Sequence, residues 1–154
     1  MLRRMVPDDA TAVAALIRMA FAAQAVVTDP PPSALRVTAA DVLTHLARGD
    51  GGAVVEIEAA LAGSVLWETK DRGLYISRVA VVPAFRRRGI ARALLAAAED
   101  AARASHLPFL HLGTRLVLTD NRRLFFACGF VETEQTAHPG YAEATSVTMV
   151  KRLG

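Results

Sequence analysis

Arg86, Arg87, Arg88 and Arg92 crowd one short stretch, Val79-Ala80-Val81-Val82-Pro83-Ala84-Phe85-Arg86-Arg87-Arg88-Gly89-Ile90-Ala91-Arg92. An apolar run is stopped by Pro83, which removes a backbone donor, and an alanine-rich segment follows from Gly89. The first turn of a helix exposes unpaired N–H groups and the positive end of the dipole, a ready anion site. Gly89 has no Cβ to keep an anion from the backbone, and Ala91 is nearly as small. Left bare, the arginines repel one another and oppose the dipole, whereas phosphate matches the planar donor fork of arginine. The spacing therefore points to a phosphate cradle; a plain strand–loop–helix connection with solvated arginines is the alternative.

Proton chemistry needs different residues. Glu68, Tyr75 and His111 fall on or near predicted strands and are the candidates to take a proton from a nucleophile. Each has a plainer reading: Glu68 as a solvated edge carboxylate, Tyr75 as a sheet tyrosine, His111 as packing between Leu110 and Leu112. Asp120 reads as a helix cap. His45, His106, His111 and His138 share no metal-ligand spacing. There is no Gly-x-Ser-x-Gly elbow, and Cys128 reads as a small buried hydrophobe.

The elements that position these groups follow from periodicity. Leu2 to Val6 is a short strand, and Asp8 or Asp9 caps the next helix, where Val13, Leu16, Ile17, Ala20 and Phe21 form one apolar stripe. Thr28 to Ser33, with three prolines, ends that region. Thr38 opens a second helix to about Ala47 with Val42, Leu43 and Leu46 inward, and Gly49 stops it. Strands are expected over Ala53–Ile57, Leu61–Glu68 and Leu74–Val82, followed by a helix from Gly89 to about Ser105 with Ile90, Leu94, Ala97, Ala98 and Ala101 inward. Phe109–Leu112 is a strand, Gly129 ends a short helix, and Phe130–Glu134 and Ala144–Val150 complete the sheet. The predicted architecture is an α/β fold: a mixed central sheet of about seven strands flanked by four helices.

A chain of 154 residues suits one domain, 1–154. A hydrophobic fraction of 53% with 21% charged residues excludes a disordered class. The lone Cys128 permits no intrachain disulfide and fits a reducing cytoplasm. Pro7, Asp8, Asp9 and Arg18 interrupt any secretory-signal pattern, and no apolar run is long enough to span a membrane.

The stretch from Val79 to Arg92 resembles the cofactor motif of the GNAT superfamily of N-acetyltransferases, Q/R-x-x-G-x-G/A after a V-x-P strand end, with Arg86, Gly89 and Ala91 at the signature positions. The stretch from Asn121 to Phe130 resembles the family's N…Y-x-x-x-G-F ending. The resemblance implies acetyl-coenzyme A as co-substrate. It implies that amides around Arg86, Arg87, Arg88, Gly89, Ile90, Ala91 and Arg92 bind the pyrophosphate, and that Val79 and Val81 pair with the pantetheine arm. The Val81 amide is then the donor to the thioester carbonyl, and Asn121 a pantetheine contact. The tyrosine that protonates the thiolate in many members corresponds to Phe125, which has no proton to give.

The expected reaction is transfer of acetyl from acetyl-coenzyme A to a primary amine, on a small molecule or peptide, by direct attack in a ternary complex. A coenzyme A-binding regulatory domain without catalysis is the alternative that Phe125 favours. Nucleic acid is poorly served, since few aromatics interleave the arginines for stacking. Similar proteins often pair through sheet edges, so a homodimer is the expected oligomer if one forms. The segments Ala22–Val37 and Thr136–Ala144 are where the family sets acceptor specificity, and they carry no distinct acceptor signal.

Overall fold

Near-continuous buried runs from Gly51 onward form the middle of a seven-stranded sheet in the computed structural model, which describes residues 1–154. The elements run β1 (Leu2–Arg4), α1 (Ala10–Ala22), α2 (Ala39–Ala47), β2 (Gly51–Ile57), β3 (Ala60–Lys70), β4 (Gly73–Val81), α3 (Ile90–Ala104), β5 (Phe109–Arg115), α4 (Thr119–Ala127), β6 (Val131–Thr136) and β7 (Ser146–Arg152). This is the expected order of strands and helices, with short 3₁₀ turns between. The sheet order is β1-β2-β3-β4-β5-β7-β6. Every pairing is antiparallel except β4 with β5, whose crossover is α3.

Successive side chains of a strand point to opposite faces, and the two faces carry two cores. Val54, Leu66 and Ala80 pack with Met5, Val13, Ile17 and Val42 beneath α1 and α2. Val55, Val65, Trp67, Ile76, Leu110 and Met149 pack on the other face against Leu94, Ala98, Ala101 and Ala102 of α3. Alanine lets α3 lie close, and Gly63 lets it closer: a Cβ there would stand 2.7 Å from Ile90 Cγ2 and 3.2 Å from Leu94 Cδ1. The start of α3 is thereby fixed over the strand that leads out of the β2–β3 hairpin.

Several local expectations are corrected. Leu43 is exposed, and His45 fills the inward place, its Nε2 donating to the Gly51 carbonyl at 2.9 Å. Thr38 does cap α2, accepting the Asp41 N–H at 3.2 Å while Asp41 accepts the Thr38 N–H at 2.9 Å. Asp9 makes no cap to α1; its carboxylate is gripped by both Arg3 terminal nitrogens at 2.8 Å and accepts the Val6 N–H at 2.8 Å. Asp120 caps nothing either: α4 begins at Thr119, and the Asp120 side chain is exposed, 3.8 Å from Arg123. The strands β5 and β7 run past their expected ends, to Arg115 and Arg152.

The consequential feature is where the sheet opens. β4 and β5 pair only at Leu74 with Leu110 and at Tyr75 with His111. Beyond these residues β4 continues to Val81 and β5 to Arg115 without pairing with each other.

Candidate active site at the parting of two strands

The parting begins with a bulge. On β3, Ser64 faces Ala80 and Leu66 faces Ser77, so β4 carries an extra residue. Arg78 takes a left-handed φ of 53° within this irregularity, a conformation that bends and re-aims a strand. Past it, Val82 donates to the Ala62 carbonyl at 2.8 Å. Hydrogen-bonded and non-hydrogen-bonded pairs alternate along an antiparallel ladder. Val81, opposite Gly63, therefore turns its N–H away from β3, toward the open side.

Two cavities flank this opening. One, of about 770 Å³, is bordered by Val79, Val81, the turn from Phe85 to Arg92 and residues at the start of α4. The other, of about 740 Å³, reaches from the Thr28–Ser33 loop across β4 and β5 to β6 and β7. Phe21, Gln24, Val79, Leu118, Asn121 and Phe125 border both. The two are thus ends of one passage.

In the first cavity the glycine expected to admit an anion does stand clear. Gly89 is the N-cap of α3 with φ +77°, and a Cβ there would meet nothing within 4 Å. Arg86 is committed to the fold: its Nη2 donates to the Ala20 carbonyl at 3.2 Å, and its Nε reaches the Val81 carbonyl at 3.4 Å. Those bonds tie the turn to the C-terminal end of α1, where carbonyls lack intrahelical partners. Arg87 and Arg88 are exposed, and Arg88 stacks on Phe85 at 5.2 Å. Arg92 points to Cys128, Nη1 to Sγ 3.8 Å. None of Arg87, Arg88 and Arg92 joins an ion pair. Three uncompensated cations therefore surround the positive end of α3, a field suited to anions.

In the second cavity the three proton-transfer candidates come together. Glu68 is opposite Tyr75, and Tyr75 is opposite His111, so the three form a row across β3, β4 and β5. The Tyr75 and His111 rings are 5.2 Å apart, and the Lys70 ammonium lies 4.7 Å from the centre of the Tyr75 ring. His111 is buried, with Nε2 2.9 Å from the Lys70 carbonyl. A carbonyl only accepts, so Nε2 carries a proton, and Nδ1 is the ring nitrogen left to exchange one. Glu68 lies 3.8 Å from Arg48. Phe125 is buried, edge-on to Phe130 at 6.1 Å, with a flank on the passage.

The bulge residue Arg78 has no sequence signal, and it ties to the Ala22–Val37 segment in which acceptor specificity is expected. Arg78 donates to Ser33 Oγ at 3.0 Å, and burial pushes its guanidinium below the usual range. Arg115 donates to the Pro30 carbonyl at 2.5 Å, and Tyr141 donates to Asp29 Oδ1 at 2.5 Å. That last bond holds the Tyr141 hydroxyl above the usual phenol range, because a carboxylate accepts from the protonated form. An arginine at a left-handed bulge position carries no turn residue to flag it, and the loop partners are 45, 85 and 112 residues away in sequence. No group of three or more His, Cys, Asp or Glu side chains is arranged to hold a metal, and no helix is long and apolar enough to cross a membrane.

The parallel pair thus parts beside the N-terminus of α3, and β4 turns a free N–H into the gap. The family model of the acetyltransferase (GNAT) family matches residues 13–130. Solved structures agree in fold. A ribosomal-protein-alanine N-acetyltransferase from Brucella melitensis is 20% identical with a TM-score of 0.77, covering 99% of this chain and 99% of that one. The PaiA N-acetyltransferase of Thermoplasma acidophilum, in complex with coenzyme A, is 14% identical with a TM-score of 0.80, over 99% and 98% of the two chains. The yncA protein of Salmonella typhimurium, with its cofactor acetyl-CoA, is 20% identical with a TM-score of 0.76, over 100% and 94%. A search of curated proteins gives no match to the sequence. The chain belongs to the GNAT acetyltransferase family.

Proposed function

We propose that the whole chain, 1–154, acts as one domain that transfers acetyl from acetyl-coenzyme A to a primary amine, by direct attack while both are bound. The observation that carries the reading is the single passage with unlike ends: unpaired arginines and an open helix N-terminus at one, a polar cavity at the other. A thioester is already activated, so positioning and carbonyl polarisation are the main tasks left to the protein. Solved relatives of this fold bind acetyl-CoA and coenzyme A.

In this reading the pyrophosphate lies on the amides from Gly89 to Ala91, with Arg87, Arg88 and Arg92 around it and Arg86 holding the turn. Gly89 fits that role because nothing occupies the space over its Cα. The Val81 N–H, turned from β3, meets the pantetheine arm. Val79 borders both cavities whereas Val81 borders only the cofactor end, so we place the thioester between them, its carbonyl on the Val81 N–H and its sulfur beside Asn121 and Phe125. The row of Glu68, Tyr75 and His111 begins four residues back along β4, at most about 13 Å from Val79. That separation suits contact with the distal part of an acceptor, or a proton path through water to His111 Nδ1, better than direct abstraction. The cytoplasm, where acetyl-CoA and free thiols coexist, is the proposed location. Phe125 is the one feature favouring a domain that binds coenzyme A without turnover.

Thiol release measured while acetyl-CoA and amine are varied together tests the reading. Direct attack in a ternary complex gives intersecting initial-velocity lines. Parallel lines would point to an acetyl-enzyme, and no thiol release above the protein-free rate with any amine would support the silent alternative.

A further inference from the structure

Arg78 is half-buried at the wall of the acceptor cavity, beside the junction residue Val79, and forms no ion pair; Asp41 acts on it only through longer-range charge. Its single hydrogen bond goes from Nη1 to Ser33 Oγ. Nε and Nη2 are left without protein acceptors, and the Ser33 hydroxyl, already accepting, keeps its own proton to donate. The same loop carries a second hydroxyl that no protein group engages. Thr28 is 7% exposed and borders the same cavity, yet its Oγ1 has no hydrogen-bond partner. Buried hydroxyls in folded proteins nearly always have one. Arg115 holds the loop by donating to the carbonyls of Pro30 and Pro31, which keeps Thr28 and Ser33 at the wall where Arg78 stands.

From this geometry we infer that the acceptor amine carries a carboxylate, held by the Arg78 guanidinium with the hydroxyls of Ser33 and Thr28. The inference rests on the acetyl-transfer reading and names the acceptor class for that site: a free amino acid or a similar small amino-carboxylate. A planar fork of N–H donors matches a carboxylate bidentately. In an α-amino acid the amine nitrogen is two bonds from the carboxylate carbon. A carboxylate on Arg78 thus leaves the nitrogen facing the junction at Val79, and the side chain runs toward the row of Glu68, Tyr75 and His111. An interior peptide residue, or a peptide N-terminus, presents a neutral amide there and leaves the Arg78 charge unpaired.

The test is binding followed by turnover, with the twenty common amino acids, their α-amides and their decarboxylated amines as probes. Calorimetric titration of the full chain saturated with coenzyme A reads the pocket without needing catalysis. At least one amino acid is expected to bind tenfold or more tightly than its amide and its decarboxylated amine. Arg78→Gln and Thr28→Val are each expected to reduce that preference at least fivefold, while coenzyme A affinity and melting temperature report that the variants are folded. In thiol-release assays the preference appears in KM. Arg78→Lys keeps the charge but loses the fork, and it is expected to fall between wild type and Arg78→Gln. Acids and amides binding equally in the wild type, or a preference that survives Arg78→Gln, would overturn the inference even if transfer occurs. Preferential binding of acids without any turnover would leave the pocket standing and sink the transfer reading instead.

Discussion

Gly89 separates the cost of a backbone conformation from the cost of a charge. Its φ of +77° favours glycine, and nothing lies within 4 Å of the Cβ it lacks. Any substitution there meets left-handed strain of about 1–2 kcal/mol without a clash. For a chain of this size that is a fall in melting temperature of roughly 2–8 °C. Asn and Asp tolerate this region better than other side chains, and they differ mainly in charge. The pair Gly89→Asn and Gly89→Asp therefore isolates electrostatics at the helix N-terminus. Two unit charges about 4 Å apart interact with about 4 kcal/mol at an effective dielectric constant of 20. If solvent screens half of that, about 2 kcal/mol remains, or roughly 30-fold in affinity. Calorimetric titration with coenzyme A should show Gly89→Asp binding at least that much more weakly than Gly89→Asn, at similar melting temperatures. Equal affinities for the two folded variants would refute the placement of the pyrophosphate at α3.

Three other outcomes follow from the same geometry. Phe125→Tyr should fold, because the ring has a flank on the passage, and it should turn over a good amine no more slowly than wild type; strongly reduced turnover in a stable variant would mean position 125 does not face the sulfur. Coenzyme A affinity should fall with rising salt more steeply than that of dephospho-coenzyme A if Arg87, Arg88 or Arg92 holds the 3′-phosphate, since exposed charges are screened over about 10 Å at 0.1 M; equal slopes would free the arginines of that role. Arg3 holds the Asp9 carboxyl below its ordinary value of 3.8. A depressed carboxylate contributes stability that is full above the unfolded value and lost as pH falls through the folded one, so urea unfolding should show Asp9→Asn less stable than wild type at pH 6, with the gap closing below about pH 3.8; a gap that stays constant would remove Asp9 from the acid response.

The legible parts of this molecule are those with local causes. Pro83 and Gly89 mark the strand end and the helix start because each acts on its own backbone. Thr38 announces α2, and the structure closes that start with a reciprocal cap to Asp41 three residues on. The Arg86–Arg92 cluster is visible as composition alone, although the sequence gives no hint that Arg86 is bound to the Ala20 carbonyl. What stayed hidden depends on distant partners. Asp9 looks like a cap until Arg3 and the Val6 N–H claim it. Both two-residue hairpin turns, Glu58-Ala59 and Asp71-Arg72, have positive φ at each position without the glycine or asparagine that usually signals it. The bulge at Arg78 follows from register between β3 and β4, and the parting of β4 from β5 from where their ladder stops. Neither has a local residue signal, yet together they make the passage in which Glu68, Tyr75 and His111 share one wall.

The most direct test of acetyl transfer uses acetyl-CoA labelled in its acetyl group, with wild-type protein and a mixture of amino acids as acceptors. The account predicts label on an acceptor nitrogen, one acetyl for each thiol released, and no labelled protein at any time during turnover. Thiol release without labelled acceptor, or label held on the protein and passed on afterwards, would contradict it.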